Sequence, residues 1–281
     1  MLIRLPFDGP YDWPLALRMI GAHAVPGAER LEPDGRSYTR VLTAGAVPTA
    51  VTVRPVGDAV LADVVGDDLG VAERVAHWLD LALDVAGQLS RFGGDPVLGT
   101  LVRERPGLRR IGYPEAFEAV VSTVLGQQVS LAAARTFAGR LVAAYGSPAP
   151  RGLTAFPQPE QVATAAGSQL RAAVGITGAR ARTVQAVAEL FAETGDWPVP
   201  VPASEWDARS AQLLALPGIG PWTVTYLRMR LFGDPDAVPV GDLVLRRALG
   251  VPKDRDVGPV MLRWRPDRTY ATFQLWASTA W

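Results

Sequence analysis

The twelve residues Leu213-Leu214-Ala215-Leu216-Pro217-Gly218-Ile219-Gly220-Pro221-Trp222-Thr223-Val224 decide the fold. An apolar helical run stops at Leu216-Pro217, two glycines follow, and Pro221 stands where a new helix starts. Glycine permits positive φ and lets the backbone approach a ligand closely. Free N–H groups at a helix N-terminus, with their partial positive charge, suit a phosphate. Contacts of that kind place a protein on DNA without reading its sequence. The same residues would serve equally as a tight link between packed helices, and spacing alone leaves both readings open. A looser copy, Val174-Gly175-Ile176-Thr177-Gly178, is followed by Arg180 and Arg182, with no acid between Gln161 and Ala188. Those arginines also fit a plain solvated face.

Downstream of the hairpin, Asp242 precedes an amphipathic helix in Val238-Pro239-Val240-Gly241-Asp242-Leu243-Val244-Leu245. It reads as an N-cap. That is the reading local sequence favours, and alongside it stands a carboxylate kept ionised by a helix terminus, able to stabilise a developing cation or orient water. Trp222 and Tyr226 share one helix face at i, i+4, and aromatics crowd the C-terminal sixty or so residues, Trp276 among them. Aromatics at this spacing commonly belong to a core.

Upstream, the chain changes character near residue 110. Alternating β-branched segments at 36–42, 50–55 and 59–65 predict an antiparallel sheet, flanked by helices at 14–24 and from 69 to about 89. Beyond residue 113 the pattern is helical, over 114–125, 131–145, 160–166, 169–174, 179–194, 205–215, 221–232, 242–249 and 267–280. Ser130 and Ser168 are the expected N-caps of the second and fourth of these. The expected organisation is an α+β lobe over 1–112 followed by a mostly helical domain over 113–281. That domain divides at 233/234 into a hairpin-bearing lobe and a C-terminal lobe with a cleft.

Composition removes whole classes of chemistry. Among 281 residues there is no cysteine, which excludes disulfides, thiolate metal sites and cysteine nucleophiles. His23 and His77 are the only histidines, too few for a multi-histidine metal centre. Lys253 is the only lysine beside 27 arginines, and basic and acidic residues balance at 28 each. Bulk charge therefore does not announce a nucleic-acid partner. No apolar run reaches the roughly 18 residues of a membrane span, and the start lacks a signal-peptide pattern. The expected setting is cytoplasmic, nucleoid-associated and monomeric, with no membrane.

Taken together, several motifs resemble the helix-hairpin-helix (HhH-GPD) DNA glycosylases, and within them the 3-methyladenine DNA glycosylase II branch. They are Pro10-Tyr11-Asp12-Trp13, Arg105-Pro106-Gly107-Leu108-Arg109, Glu115-Ala116-Phe117-Glu118, Leu125-Gly126-Gln127-Gln128-Val129-Ser130, and the hairpin with Asp242. The resemblance implies an enzyme that binds double-stranded DNA, flips an alkylated base of the 3-methyladenine or 7-methylguanine type into a pocket, and hydrolyses its N-glycosidic bond. It implies Asp242 as the catalytic acid and Trp276, Tyr226, Trp222, Met19 and Leu243 around the base. It implies Gln127, Gln128, Ser130, Pro217, Gly218, Gly220 and Thr223 on the DNA, with Gln128 where the family has an apolar wedge. No cofactor is implied, although the family's hairpin holds a monovalent cation, Na+ or K+, on carbonyls that here are Leu214, Leu216 and Ile219. Relatives with strand-cleaving lyase activity use a lysine where this chain has Trp222, so a monofunctional glycosylase is implied. Gly241, Leu243 and Met19 depart from the familiar pattern. The alternative reading is a catalytically silent DNA-binding or damage-sensing module built on the same hairpins.

Overall fold

Alternating apolar residues near the start build a five-stranded antiparallel sheet in the order β1-β5-β4-β3-β2. The strands are β1 (Leu2–Pro6), β2 (Glu29–Leu31), β3 (Tyr38–Leu42), β4 (Thr49–Val56) and β5 (Ala59–Val65). The computed structural model describes residues 1–43, 47–67 and 69–279. One face of the sheet carries α1 (Trp13–His23), opened by Pro14 and capped by Asp12, whose Oδ1 accepts from the Leu15 amide at 3.0 Å. A small hairpin, β6 (Ser147–Ala149) and β7 (Leu153–Ala155), covers Val41 from the other side. That is why every residue of β3 is buried.

The single helix expected from 69 to about 89 is two helices, α2 (Val71–Trp78) and α3 (Val85–Phe92), followed by α4 (Leu98–Glu104). The break has a cause. Asp80 adopts φ 52°, a left-handed conformation open to Asp and Asn, and its carboxylate grips the Arg110 guanidinium at 2.8 and 2.9 Å. Asp84 then caps α3 through the Gly87 amide at 2.8 Å.

The helical part continues with α5 (Ala116–Gly126), α6 (Leu131–Tyr145), α7 (Pro159–Ala163), α8 (Gly167–Val174), α9 (Gly178–Thr194), α10 (Trp206–Leu214) and α11 (Pro221–Leu227). After these come α12 (Leu243–Ala248), α13 (Val257–Met261) and α14 (Arg268–Thr279). Residue 280, expected to close the last helix, lies outside the described residues. Ser130 caps α6 as expected, accepting from the Ala133 amide at 3.2 Å. Ser168 does not cap α8. That helix starts at Gly167 from Ala166, because the Gln185 side chain of α9 donates to the Ala165 carbonyl at 2.8 Å and sets the entry angle. Helix α5 buries nine of its eleven residues, the mark of a helix surrounded on all sides. Its one buried acid, Glu118, takes two hydrogen bonds from Arg40 of β3 at 2.7 and 2.8 Å, tying sheet to helix.

Two hydrophobic cores result. One gathers α5 to α11 around Phe117, Val120, Phe191 and Leu227. The other joins the sheet and α1 to α4 with the last helices, through Leu245, Met261, Trp264, Tyr270 and Phe273. Burial of a side chain such as Phe273 is worth about 1.5–3 kcal/mol, so the C-terminal helices are fastened to the N-terminal sheet. Among the described residues no helix is long and apolar enough to cross a membrane.

Candidate active site

A cavity of about 250 Å³ opens where the two cores meet, near the lower end of small-ligand pockets. Trp276, from α14, packs against both cores. Trp222 and Tyr226, on the helix after the hairpin, stack at 5.2 Å with their planes 15° apart, as their i, i+4 spacing requires. Tyr226 lies 6.1 Å from Trp276, which meets Phe273 edge-on at 5.4 Å. Met19 of α1 completes the apolar wall.

Asp242 stands at the mouth of this aromatic cavity as the N-cap of α12. Its Oδ1 accepts from the Leu245 amide at 2.7 Å and from the Trp276 indole Nε1 at 3.0 Å. Both bonds fall on one oxygen, so Oδ2 carries none among the described residues. The N-cap expected from the sequence is therefore present, and it commits only one of the two carboxylate oxygens. One oxygen is anchored and the other is uncommitted.

The hairpin lies beside the cavity. Gly218 has φ +78°, and a Cβ there would sit 2.5 Å from Thr183 Oγ1, so the fold itself requires glycine. Gly220 is different. Its φ is −112° and a Cβ would meet nothing within 4 Å, so only something outside the chain could need that space. Gln127, in the loop between α5 and α6, donates to the Gly218 carbonyl at 3.0 Å and to Thr223 Oγ1 at 3.1 Å, and its own carbonyl accepts from Arg180. Loop, hairpin and the first turn of α9 are thus bolted together. Next in the loop, Gln128 is exposed at φ +57°, an uncommon conformation for a residue with a side chain.

Two family models match parts of the chain, the AlkA N-terminal domain over residues 2–115 and the HhH-GPD superfamily base excision DNA repair protein over residues 121–251. Residues 121–251 thus resemble the HhH-GPD superfamily and residues 2–115 the AlkA N-terminal domain. The chain is 39% identical, over 98% of its own length, to the probable bifunctional transcriptional activator/DNA repair enzyme AlkA of Mycobacterium tuberculosis, and spans 56% of that protein. It is 29% identical to DNA-3-methyladenine glycosylase 2 of Escherichia coli, covering 99% of this chain and 97% of the relative. In three dimensions it is similar to a 3-methyladenine DNA-glycosylase from Archaeoglobus fulgidus, with a TM-score of 0.82, 20% identity and coverage of 97% and 96%.

Within this HhH-GPD fold the residues singled out from sequence fall into three groups. Asp242, Trp222, Tyr226, Trp276 and Met19 converge on the cavity. Leu243 does not. It is 44% exposed, because the first residue after the cap turns outward, and Val244 lines the wall instead. Of the residues expected on DNA, Gln128, Ser130, Pro217 and Gly218 are exposed. Gln127 and Thr223 spend their polar groups on each other, and the Ser130 hydroxyl caps α6.

Sequence reasoning passed over His23, Tyr113, Ser122 and Arg230, all on the cavity wall. Arg230 had a signal. Residues 222, 226 and 230 recur every fourth position and so prolong one stripe. The chain also widens into a π-helical turn over Arg228–Phe232, a feature frequent at functional sites. Burial, then the charge of Arg230, holds the His23 pKa well below its ordinary range, so its ring is neutral at physiological pH. The charge pattern had a signal as well. Between Ala119 and Ala188 the only acid is Glu160, against six arginines. None of Arg135, Arg140, Arg171, Arg180 and Arg182 has an ion-pair partner among the described residues. A neutral chain thus carries a basic stretch over α6 to α9, and ion pairs do not cancel the charge of these five arginines.

Proposed function

We propose that this chain is a monofunctional DNA glycosylase that flips alkylated bases of the 3-methyladenine or 7-methylguanine type out of duplex DNA and hydrolyses their N-glycosidic bond. The observation that carries this reading is the anchored Asp242 carboxylate at the mouth of an aromatic cavity beside the glycine hairpin. The phosphate backbone lies along the basic stretch, close against Gly218 and Gly220, and Gln128 enters the space the flipped nucleotide leaves. The base stacks in the cavity, where aromatic faces attract a cationic ring by about 0.5–2 kcal/mol.

The bond from the sugar to the base then breaks, its electron pair leaving with the base, and an alkylated cationic base departs neutral. Positive charge develops on the sugar, and the free Oδ2 of Asp242 stabilises it electrostatically. Water adds to the anomeric carbon and loses its proton, which the carboxylate is placed to take. Lyase chemistry would need an amine at the sugar. Trp222 occupies the helix position, and Lys253, the only lysine, is exposed and off the cavity wall.

The hairpin carbonyls fit a monovalent cation, Na+ or K+. Those of Leu214 and Ile219 accept no backbone hydrogen bond among the described residues, and that of Leu216 accepts only a long one, 3.3 Å, from the Ile219 amide. Such an ion would stiffen the turn and add positive charge beside the phosphate. The protein acts as a monomer in the cytoplasm.

The test is Asp242→Asn. Asparagine caps a helix as well as aspartate, so fold and duplex binding are retained. Release of 3-methyladenine from methylated DNA falls by at least about a hundredfold. Normal release by the variant would remove Asp242 from the chemistry, and a wild-type protein that binds duplex but releases no base would leave the silent DNA-binding module.

A further inference from the structure

Excision of a cationic base does not call for a second positive charge in the pocket, yet Arg230 supplies one. The residue is 4% exposed, lines the cavity, and has no ion-pair partner among the described residues. Its Nε donates to the Ile111 carbonyl at 3.0 Å and its Nη1 to the Tyr226 hydroxyl. The guanidinium carbon lies 4.6 Å from the Tyr113 ring centre and 5.4 Å from that of Tyr226. Burial opposes the charge, but the two tyrosines outweigh it, so the group stays protonated. The remaining nitrogen, Nη2, has no hydrogen-bond partner among the described residues. On the wall of the same cavity the Ser122 hydroxyl oxygen is buried and also without one. A buried hydroxyl without a partner is costly, and together with an uncommitted guanidinium nitrogen on the wall of the same cavity it points to a ligand that completes both.

Resting on the glycosylase reading above, we propose that Arg230 is a specificity-determining contact. Its Nη2–H donates to a carbonyl oxygen on the flipped base, so the pocket favours bases that present a carbonyl over cationic amino-bearing bases. Two effects act in the same direction. A carbonyl gains a charge-assisted hydrogen bond, whereas a cationic ring meets a like charge in a site where water does not screen it. The aromatic attraction acts against the second effect, and Tyr226 contributes less to it because its ring already stacks on Trp222 and faces a guanidinium. Hypoxanthine, neutral with a carbonyl, gains most. 7-Methylguanine gains the hydrogen bond and suffers the repulsion. 3-Methyladenine suffers the repulsion alone, and 1,N6-ethenoadenine, neutral without a carbonyl, is indifferent.

The experiment is single-turnover release of these four bases from one duplex sequence by the wild-type protein and by Arg230→Met. Variant-to-wild-type ratios cancel the intrinsic leaving ability of each base. The expected ratio falls roughly 10- to 100-fold for hypoxanthine, falls less for 7-methylguanine, stays near unity for ethenoadenine and rises above unity for 3-methyladenine. A uniform change across all four is what a purely structural arginine would give, and it overturns the proposal while leaving the glycosylase reading intact. A wild-type protein that releases none of the four overturns that reading, and this proposal with it. Should Arg230→Met fail to melt cooperatively, competition on the wild type decides. Free hypoxanthine should inhibit 7-methylguanine release about tenfold better than free purine, which lacks the carbonyl. Equal inhibition overturns the proposal.

Discussion

The indole Nε1 of Trp276 donates to Oδ1 of Asp242 at 3.0 Å, the oxygen that also receives the Leu245 amide. An aromatic wall of the pocket thereby holds the acid in orientation. Trp276→Phe keeps the ring and removes the donor. The carboxylate retains its cap but can turn, and loss of orientation costs rate more than binding. A drop of about tenfold in single-turnover base release, with duplex affinity within twofold, is the expected result. An unchanged rate would show that the cap alone positions Asp242.

The two hairpin glycines separate fold from contact. Gly218→Ala forces a side chain into a left-handed conformation against Thr183 and should lower stability by about 1–3 kcal/mol. Gly220→Ala enters open space, so its melting temperature should match the wild type, while affinity falls alike for unrelated duplexes. Thermal melts and fluorescence anisotropy distinguish them. Sequence-selective loss by Gly220→Ala would count against phosphate contact there.

Gln128 holds positive φ at the tip of its loop. Gln128→Gly removes that strain and should stabilise the free protein by about 0.5–1 kcal/mol. It also removes the side chain that fills the vacated stack, so base release should slow even as the melt rises. A variant both more stable and equally active would mean that the side chain does nothing on DNA.

Both histidines are held below their ordinary pKa of 6.5, chiefly by burial. Below about pH 6.5 the unfolded chain therefore takes up protons that the folded chain refuses. Stability falls as pH drops from there toward the folded-state values, and above 6.5 the effect vanishes. Each imidazole contributes a slope of at most about 1.4 kcal/mol per pH unit. Glu29, raised by burial, works in the opposite sense. Urea midpoints at pH 7.5 and 5.5 should differ, and replacing both histidines by glutamine should flatten the difference. Equal midpoints in the wild type would contradict the burial of both rings.

Much of this was legible in the residues themselves. The period-two pattern of β3, β4 and β5 announces the sheet, whereas β1 and β2 escaped because one ends in Pro6 and the other is three residues long. The α2–α3 break was hidden because Leu79, Leu81 and Leu83 are all apolar and buried, so an extended turn passes for a helical run. In the site, Asp242 and the aromatics could be read from spacing and motif. The rest depended on tertiary placement. Leu243 was misassigned because order along the chain does not say which way the first residue after a cap points. Gln127 looked like a surface contact because nothing local shows that Gly218 and Thr223 absorb its amide.

The sharing of one hydrophobic interior by the first and last parts of the chain bears on how the protein emerges during synthesis. Every buried member of the hairpin-bearing core has left the ribosome once residue 232 has, and only the partly buried Trp276 is added later. The sheet must wait for Trp264, Tyr270 and Phe273. Until those arrive it presents a bare apolar face to the cell, so a chain stopped early should display a nearly finished hairpin edge on an unfinished molecule and be a natural client for chaperones.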